Sequence, residues 1–334
     1  MVVVLEFVRS LVDECHHSEP SWLHAQLHCL GVSVAFVGSL YVLVPPRIRR
    51  LPRNHPEQIE RRAVAVATVC AILIVLYPIQ FCKGIFTTDN DNNNKPATHD
   101  AVSALQWLGI GGGPGDSLHH IRSSLVVLLH SAILFLGPLV SSLVFVSIRS
   151  HRTQQPWFHV WWSTHRSFYV ANGKHAVLRN LVIAPFTEEV AFRACLVGPL
   201  LATGQWSPLQ VSWMVPLWFG TAHLHHAYTK HHQQGLDLKQ TCLETLVQFT
   251  YTTLFGAYVA HAFLRTASLP AIALCHSFCN YMSLPDLSVF SQPLYRNYQW
   301  IMALAYIVGI AGFVWGFSTL LPNDLLLLQF LSMA

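Results

Sequence analysis

Charged side chains are scarce in this chain. Asp, Glu, Lys and Arg together make up 11% of its 334 residues, where a soluble globular protein carries about 25%. There is no Walker loop and no glycine-rich dinucleotide fingerprint, so the common phosphate cradles are excluded. Paired Cys-x-x-Cys motifs of the zinc type are missing too. The eight cysteines (15, 29, 70, 82, 195, 242, 275 and 279) lack the spacing of a disulfide framework and read as small buried hydrophobes. The formal net charge of +4 is small and confined to loops, which argues for membrane orientation and against nucleic-acid binding. Residues 1–12 are apolar, but Glu6 and Arg9 interrupt them and no small-residue cleavage site follows, so no signal peptide is expected.

What the chain has instead is apolar sequence in long blocks. Hydrophobic residues reach 52% and the mean hydropathy is +0.40. The blocks are of membrane-spanning length. The expected fold is all-α, a polytopic membrane protein with about eight transmembrane helices around an intramembrane cavity. Candidate spans are 22–44, 63–82, 122–148, 178–202, 208–227, 242–264, 268–284 and 299–321. The expected organisation is 1–170 for the N-terminal spans, 171–290 for the core carrying the polar motifs, and 291–334 for a last helix and tail.

The loop from Pro45 to Arg62 holds six arginines (47, 49, 50, 53, 61 and 62) and is expected on the cytosolic side. Loops 149–177 and 228–241 are expected on that same side, opposite Asp89–Asn94 and the glycine-rich Gly111–Gly115. Trp157, Phe158, Trp161 and Trp162 read either as an interfacial aromatic belt or as an amphipathic segment guiding a lipid-bearing substrate. Of the twenty histidines, many (His16, His17, His119, His120, His225, His226, His231, His232) sit in loops or at helix ends, where solvated or interfacial roles are the default.

Against this apolar background the run Thr187-Glu-Glu-Val-Ala-Phe-Arg193 stands out. An ionisable group at the centre of a membrane helix costs roughly 2.5–3.5 kcal/mol on insertion scales, so it normally faces a cavity and has a function. Glu189 and Arg193 are four apart and share a helix face. Glu188 lies about 100° around the axis. Burial and a neighbouring like charge both favour the neutral form of a carboxyl group, a condition that suits a general base acting on water. Chemistry is therefore assigned to Glu188 and support to Glu189 and Arg193. Phe219 and His223, and His276 and Asn280, form two further four-residue pairs in apolar sequence. A histidine and an amide can donate to a developing oxyanion, worth about 2.7–4 kcal/mol per donor. The inventory fits amide hydrolysis inside a membrane. The same two carboxylates and two histidines are also possible zinc ligands. A cysteine nucleophile is weaker, because no spacing provides a partner to activate a thiol.

The set Glu188-Glu-x-x-x-Arg193, Phe219-x-x-x-His223 and His276-x-x-x-Asn280 resembles the three motifs of the CPBP (Abi) membrane protease family. The runs Arg179–Cys195, Phe219–His226, Gln248–Tyr258 and Leu274–Met282 look like its eukaryotic branch, the type II CAAX prenyl proteases. The resemblance implies an eight-helix, multi-pass enzyme of the endoplasmic reticulum. Such an enzyme removes the last three residues of farnesylated or geranylgeranylated CAAX proteins such as Ras-like small GTPases. Its cavity is implied to open toward the cytosol. By the same resemblance Glu188 and His223 activate water, His276 and Asn280 form the oxyanion hole, and Glu189, Arg193 and Phe219 support them. No cofactor is implied; zinc in the same site and a non-catalytic scaffold stand as alternatives. Polybasic tails often accompany prenylation, and the basic loops, Arg47 to Arg53 among them, are an expected surface to receive them.

Overall fold

The computed structural model describes residues 22–81, 108–110, 116–224, 227, 230–231 and 235–321. Among them every regular element is helical, so the all-α expectation holds. The Asp89–Asn94 and Gly111–Gly115 stretches, residues 1–12, Cys15, Cys82 and five of the singled-out histidines (16, 17, 225, 226 and 232) lie outside the described residues.

Helix α1 (Trp22–Val42) leads through the short α2 (Pro46–Arg49) into α3 (Pro56–Phe81). Both later helices begin at proline, whose missing N–H is an orphan at a helix start in any case. The Gln58 amide donates to the carbonyls of Ile48, Arg49 and Leu51 at 3.2, 3.2 and 2.7 Å and closes α2 against α3.

The block expected as one span over 122–148 is two helices, α4 (Asp116–Leu134) and α5 (Leu136–Thr153), bent by 71°. Pro138 is the physical reason. It has no N–H for the Leu134 carbonyl and its ring collides with that carbonyl, so the first helix stops there. Gly137 then lets the Tyr306 ring close onto the restart, where any Cβ would overlap it. Helix α6 (Trp157–Asn172) carries the aromatic cluster as an element of its own, starting after Pro156 and ending at Gly173.

The 178–202 block is not a single helix either. It is built as α7 (Lys174–Leu178), a π-turn over Arg179–Ile183, α8 (Ala184–Glu189), a second π-turn over Val190–Ala194, and α9 (Val197–Ala202). Pro185 cannot bond to the Leu181 carbonyl. The turn ahead of it widens, and the Ala184 N–H reaches the Arg179 carbonyl five residues back.

Helix α10 (Pro208–Ala222) starts with a reciprocal capping box between Ser207 and Gln210. Helix α11 (Leu238–Thr266) is capped by Asp237, whose carboxylate accepts from the Gln240 N–H at 2.7 Å. Helix α12 (Leu269–Met282) is capped by Ser268, and α13 (Gln299–Thr319) follows two 3₁₀ turns.

The corner between α11 and α12 is fixed from outside. The ring nitrogens of His119 and His120 sit 2.8 Å from the Thr266 carbonyl and the Ser268 hydroxyl. The Leu269 N–H donates to the Gly109 carbonyl at 2.8 Å. Gly109 has a positive φ of 69°, and a Cβ there would strike the Phe263 ring and the Leu269 nitrogen. His119 and His120 are therefore structural pins, not the solvated loop histidines expected from their neighbours.

Two runs, Trp22–Val42 and Pro293–Thr319, are long and apolar enough to cross a membrane, and the bent α4–α5 pair makes a third if it is one span. Helix α12, at 14 residues, is about 21 Å long at 1.5 Å per residue, short of the ~30 Å hydrocarbon core. One continuous core joins α1, α3, α4 and the broken helix to α10–α12, through Phe36, Val66, Phe192, Phe219, Phe263 and Ile272. The face of α13 is apolar outward, with Trp300, Ile307, Val314 and Trp315 strongly exposed, as a lipid-facing helix requires.

Candidate active site

Two distant parts of the sequence meet at the two glutamates. Helix α8 supplies Glu188 and Glu189, the following π-turn supplies Arg193, and α12 lays His276 across both carboxylates. His276 Nδ1 is 2.7 Å from Glu189 Oε1, and its Nε2 is 3.8 Å from Glu188 Oε2. Arg193 Nη1 donates to the same Glu189 Oε1 at 3.2 Å, so the expected four-residue pair forms although its arginine lies in a π-turn. The Glu189 and Arg193 side chains are both 0% exposed.

A buried ion pair is expensive to desolvate and holds only where further contacts support both ions. Here the Arg193 guanidinium lies 4.5 Å over the Phe219 ring, and His276 adds its bond to Glu189. The arginine fits because Gly256 faces it; a Cβ there would come within 3.0 Å of Arg193 Nη2. Glu189 Oε2 and Arg193 Nε and Nη2 make no hydrogen bond among the described residues. Phe219 is thus the platform for the cation as well as a core residue, packing edge-on to Phe192 at 5.2 Å.

Glu188 is placed differently. Its side chain is 20% exposed and lines a cavity of about 150 Å³ together with His223. His223 Nδ1 lies 2.8 Å from the Phe219 carbonyl. A carbonyl only accepts, so Nδ1 carries a proton. Apolar residues of α1 and α3, among them Phe36, Leu40, Ala63 and Val66, form one wall of the cavity. His276 is buried and reaches the cavity edge only through Glu188. Asn280 is exposed, is not among the cavity-lining residues, and donates through Nδ2 to the Asn180 carbonyl at 2.9 Å.

Among the described residues no group of three or more His, Cys, Asp or Glu side chains is arranged to hold a metal ion. Cys29, Cys70, Cys195 and Cys275 are buried as expected, whereas Cys242 is exposed and Cys279 half-buried. Cys242 departs from the expectation because it lies on the outward face of α11 near its start. Sequence reasoning read Arg62 only as part of a basic loop, and Arg179 and Asn180 only as the start of a family-like run, and assigned none of them to the site; all three line the same cavity. Their only signal was position at the polar edge of apolar blocks.

This site sits in a region that known proteins share. A model of the family described as type II CAAX prenyl endopeptidase Rce1-like matches residues 172–282. The CAAX prenyl protease 2 of Homo sapiens is 33% identical over 267 residues, covering 77% of this chain and 70% of the human protein. The probable CAAX prenyl protease 2 of Schizosaccharomyces pombe is 32% identical over 289 residues, covering 85% and 89%. The chain belongs to the CAAX prenyl protease 2 family. A family member from Arabidopsis thaliana is 37% identical over 142 residues, 42% of each chain. No solved structure matches the chain at a significant level. As a member of the CAAX prenyl protease 2 family the chain is a membrane protease, and all seven expected site residues fall inside the family-matched segment.

Proposed function

We propose that this enzyme removes the C-terminal tripeptide from farnesylated or geranylgeranylated CAAX proteins, Ras-like small GTPases among them, using a glutamate-activated water. The observation that carries this reading is the asymmetry of the two glutamates: Glu189 is sealed against Arg193 and His276, while Glu188 opens into the cavity beside His223. Glu188 takes a proton from a water held with His223 Nε2, and the resulting hydroxide attacks the carbonyl carbon of the prenylcysteine residue. The tetrahedral oxyanion is met by His276 and Asn280. The proton held by Glu188 passes to the amine nitrogen as the C–N bond breaks, so the tripeptide leaves with a neutral amine.

Glu189 accepts from His276 Nδ1, so donation from His276 Nε2 uses the imidazolium form. With the water proton on Glu188, the charges of Glu189, Arg193 and His276 sum to one positive charge, which the oxyanion balances. The Asn280 amide keeps a second N–H beyond the one given to Asn180.

The reading extends to place and organisation. Residues 171–290 form the catalytic core, with 1–170 and 291–334 as flanking membrane helices. The enzyme lies in the endoplasmic reticulum membrane, multi-pass, with the cavity mouth on the cytosolic side. Contacts between the first two basic loops support that orientation. His175 lies 3.2 Å from Glu60, and Arg179, just past the second loop, donates through Nη1 to the Arg53 carbonyl at 3.1 Å, which brings both loops to one end of the bundle. A prenyl group contributes about 0.8 kcal/mol per buried CH₂, so lipid already holds the substrate beside the apolar wall.

The test is cleavage of a farnesylated CAAX peptide by the purified protein, with Glu188→Gln beside it and a chelator control. Tripeptide release that survives chelation and falls by about 10²–10⁴-fold in Glu188→Gln is expected for loss of a general base. Loss on chelation with recovery on zinc would sink the glutamate mechanism and put the same side chains on a metal.

A further inference from the structure

The cavity that holds Glu188 and His223 is also lined by three arginines, Arg53, Arg62 and Arg179. Glu188 is the only acidic residue among its lining residues. None of the three arginines has a carboxylate within 4.0 Å among the described residues; the cationic partners there are Arg47, Arg193, Lys230, His175 and His276. Arg62 Nε is buried without a hydrogen-bond partner among the described residues.

Arg179 is held in one posture. Its Nε donates to Asn180 Oδ1 at 2.9 Å, Nη1 to the Arg53 carbonyl at 3.1 Å and Nη2 to Asn54 Oδ1 at 3.2 Å. Neutral acceptors orient a guanidinium and leave its charge in place. Three like charges beside one small cavity repel each other, and a bound anion relieves that repulsion through charge-assisted hydrogen bonds.

The distance from these arginines to the glutamate has a meaning. Helix α3 and the broken helix run side by side in the same direction. Glu60 meets His175 at 3.2 Å, and further along Cys70 meets the Thr187 carbonyl at 3.4 Å. Arg62 and Arg179 are therefore level with each other, and Glu188 lies deeper. The nine residues from Arg179 to Glu188 amount to about 13 Å at 1.5 Å per residue. Three extended residues span at most about 10–11 Å, the same order as that axial separation.

We propose that Arg53, Arg62 and Arg179 form the subsite for the free α-carboxylate of the substrate's last residue, so that the enzyme locates its scissile bond by measuring three residues from the chain end. This deepens the proposed function and rests on Glu188 marking the reacting end of the cavity. The same cations would repel a polybasic tail, which reverses the role expected for this loop from sequence. A phospholipid headgroup phosphate is also an anion that guanidinium groups bind, so the test has an arm for it.

The experiment uses full-length protein in nanodiscs, once of neutral and once of anionic lipid. Cleavage is compared for a farnesylated peptide with a free C-terminal carboxylate and for its C-terminal amide. Wild type is expected to favour the acid by at least about 10-fold in kcat/KM, one charge-assisted contact being worth roughly 1.5–3 kcal/mol. Arg62→Gln is expected to lose activity on the acid alone, so that acid and amide converge. Arg179→Lys, which keeps the charge and loses the planar fork, should lie between. Equal cleavage of acid and amide by wild type would overturn the proposal. So would an Arg62→Gln effect equal on both peptides, or one seen only as altered dependence on anionic lipid. Binding of the two labelled peptides to Glu188→Gln, followed by fluorescence anisotropy, separates this subsite from the catalytic assignment. Acid preference in binding persists there even if Glu188 proves not to be the base.

Discussion

Glu188 and Glu189 are the same side chain one position apart, and their surroundings are opposite. Glu189 is locked between a guanidinium and an imidazole with no exposure, while Glu188 meets the cavity. Substitution should separate the two by different observables. Glu189→Ala strands Arg193 as a buried charge and is expected to destabilise the fold by about 3–5 kcal/mol, read as a lowered thermal unfolding midpoint. Glu188→Gln should leave that midpoint in place while activity falls. Asn280→Ala, removing one oxyanion donor, is expected to lower kcat by about 10²–10³-fold with KM little changed. This residue-level division was legible before the fold, because the four-residue spacing of Glu189 and Arg193 pairs them and leaves Glu188 out. The bond from His276 to Glu189 was not legible, since nothing in a helix pattern states which neighbour on another helix a ring nitrogen will meet.

At the scale of elements, the chain's apolar blocks located helices well and their interruptions poorly. Period and composition found α1, α10, α11, α12 and α13 within a few residues of their expected bounds. The 122–148 and 178–202 blocks were read through prolines that in fact break or widen the helix. Arg179 and Asn180 open the first π-turn, where no helical period marks the side they face. Glycines mark where elements touch most closely. Gly256→Val would drive a side chain into Arg193 Nη2 and Pro216, and overpacking of this kind is expected to cost about 1–3 kcal/mol. The loss should appear in thermal unfolding and should exceed that of Gly38→Val on α1, where a Cβ meets nothing within 4 Å.

For the whole molecule, no thiol is required by the geometry. A variant with Cys70, Cys195, Cys275 and Cys279 replaced by Ala is expected to retain cleavage, at some expense of stability from the buried positions. Survival of activity in that variant, with sensitivity to thiol reagents abolished, would assign any such sensitivity to steric obstruction. The membrane class and the segment that matches the family were both readable from one sequence because charge is rare in it and each buried ionisable group is conspicuous. The pinned corner between α11 and α12 has a mechanical consequence. Ser268 and Leu269 are tied to α4 and the Gly109 turn, and Asn280 is tied back to the broken helix. Helix α12 and the glutamates it serves therefore form one rigid frame. The facing wall, α1 and α3, meets the cavity with Phe36, Leu40 and Val66, and such dispersion contacts slide more readily than hydrogen bonds stretch. Under the proposed function, a bulky lipidated chain end is expected to enter by yielding of that apolar wall while Glu188, Glu189 and His276 stay still. Amide exchange should accordingly be slowest across residues 259–272 and faster along α1.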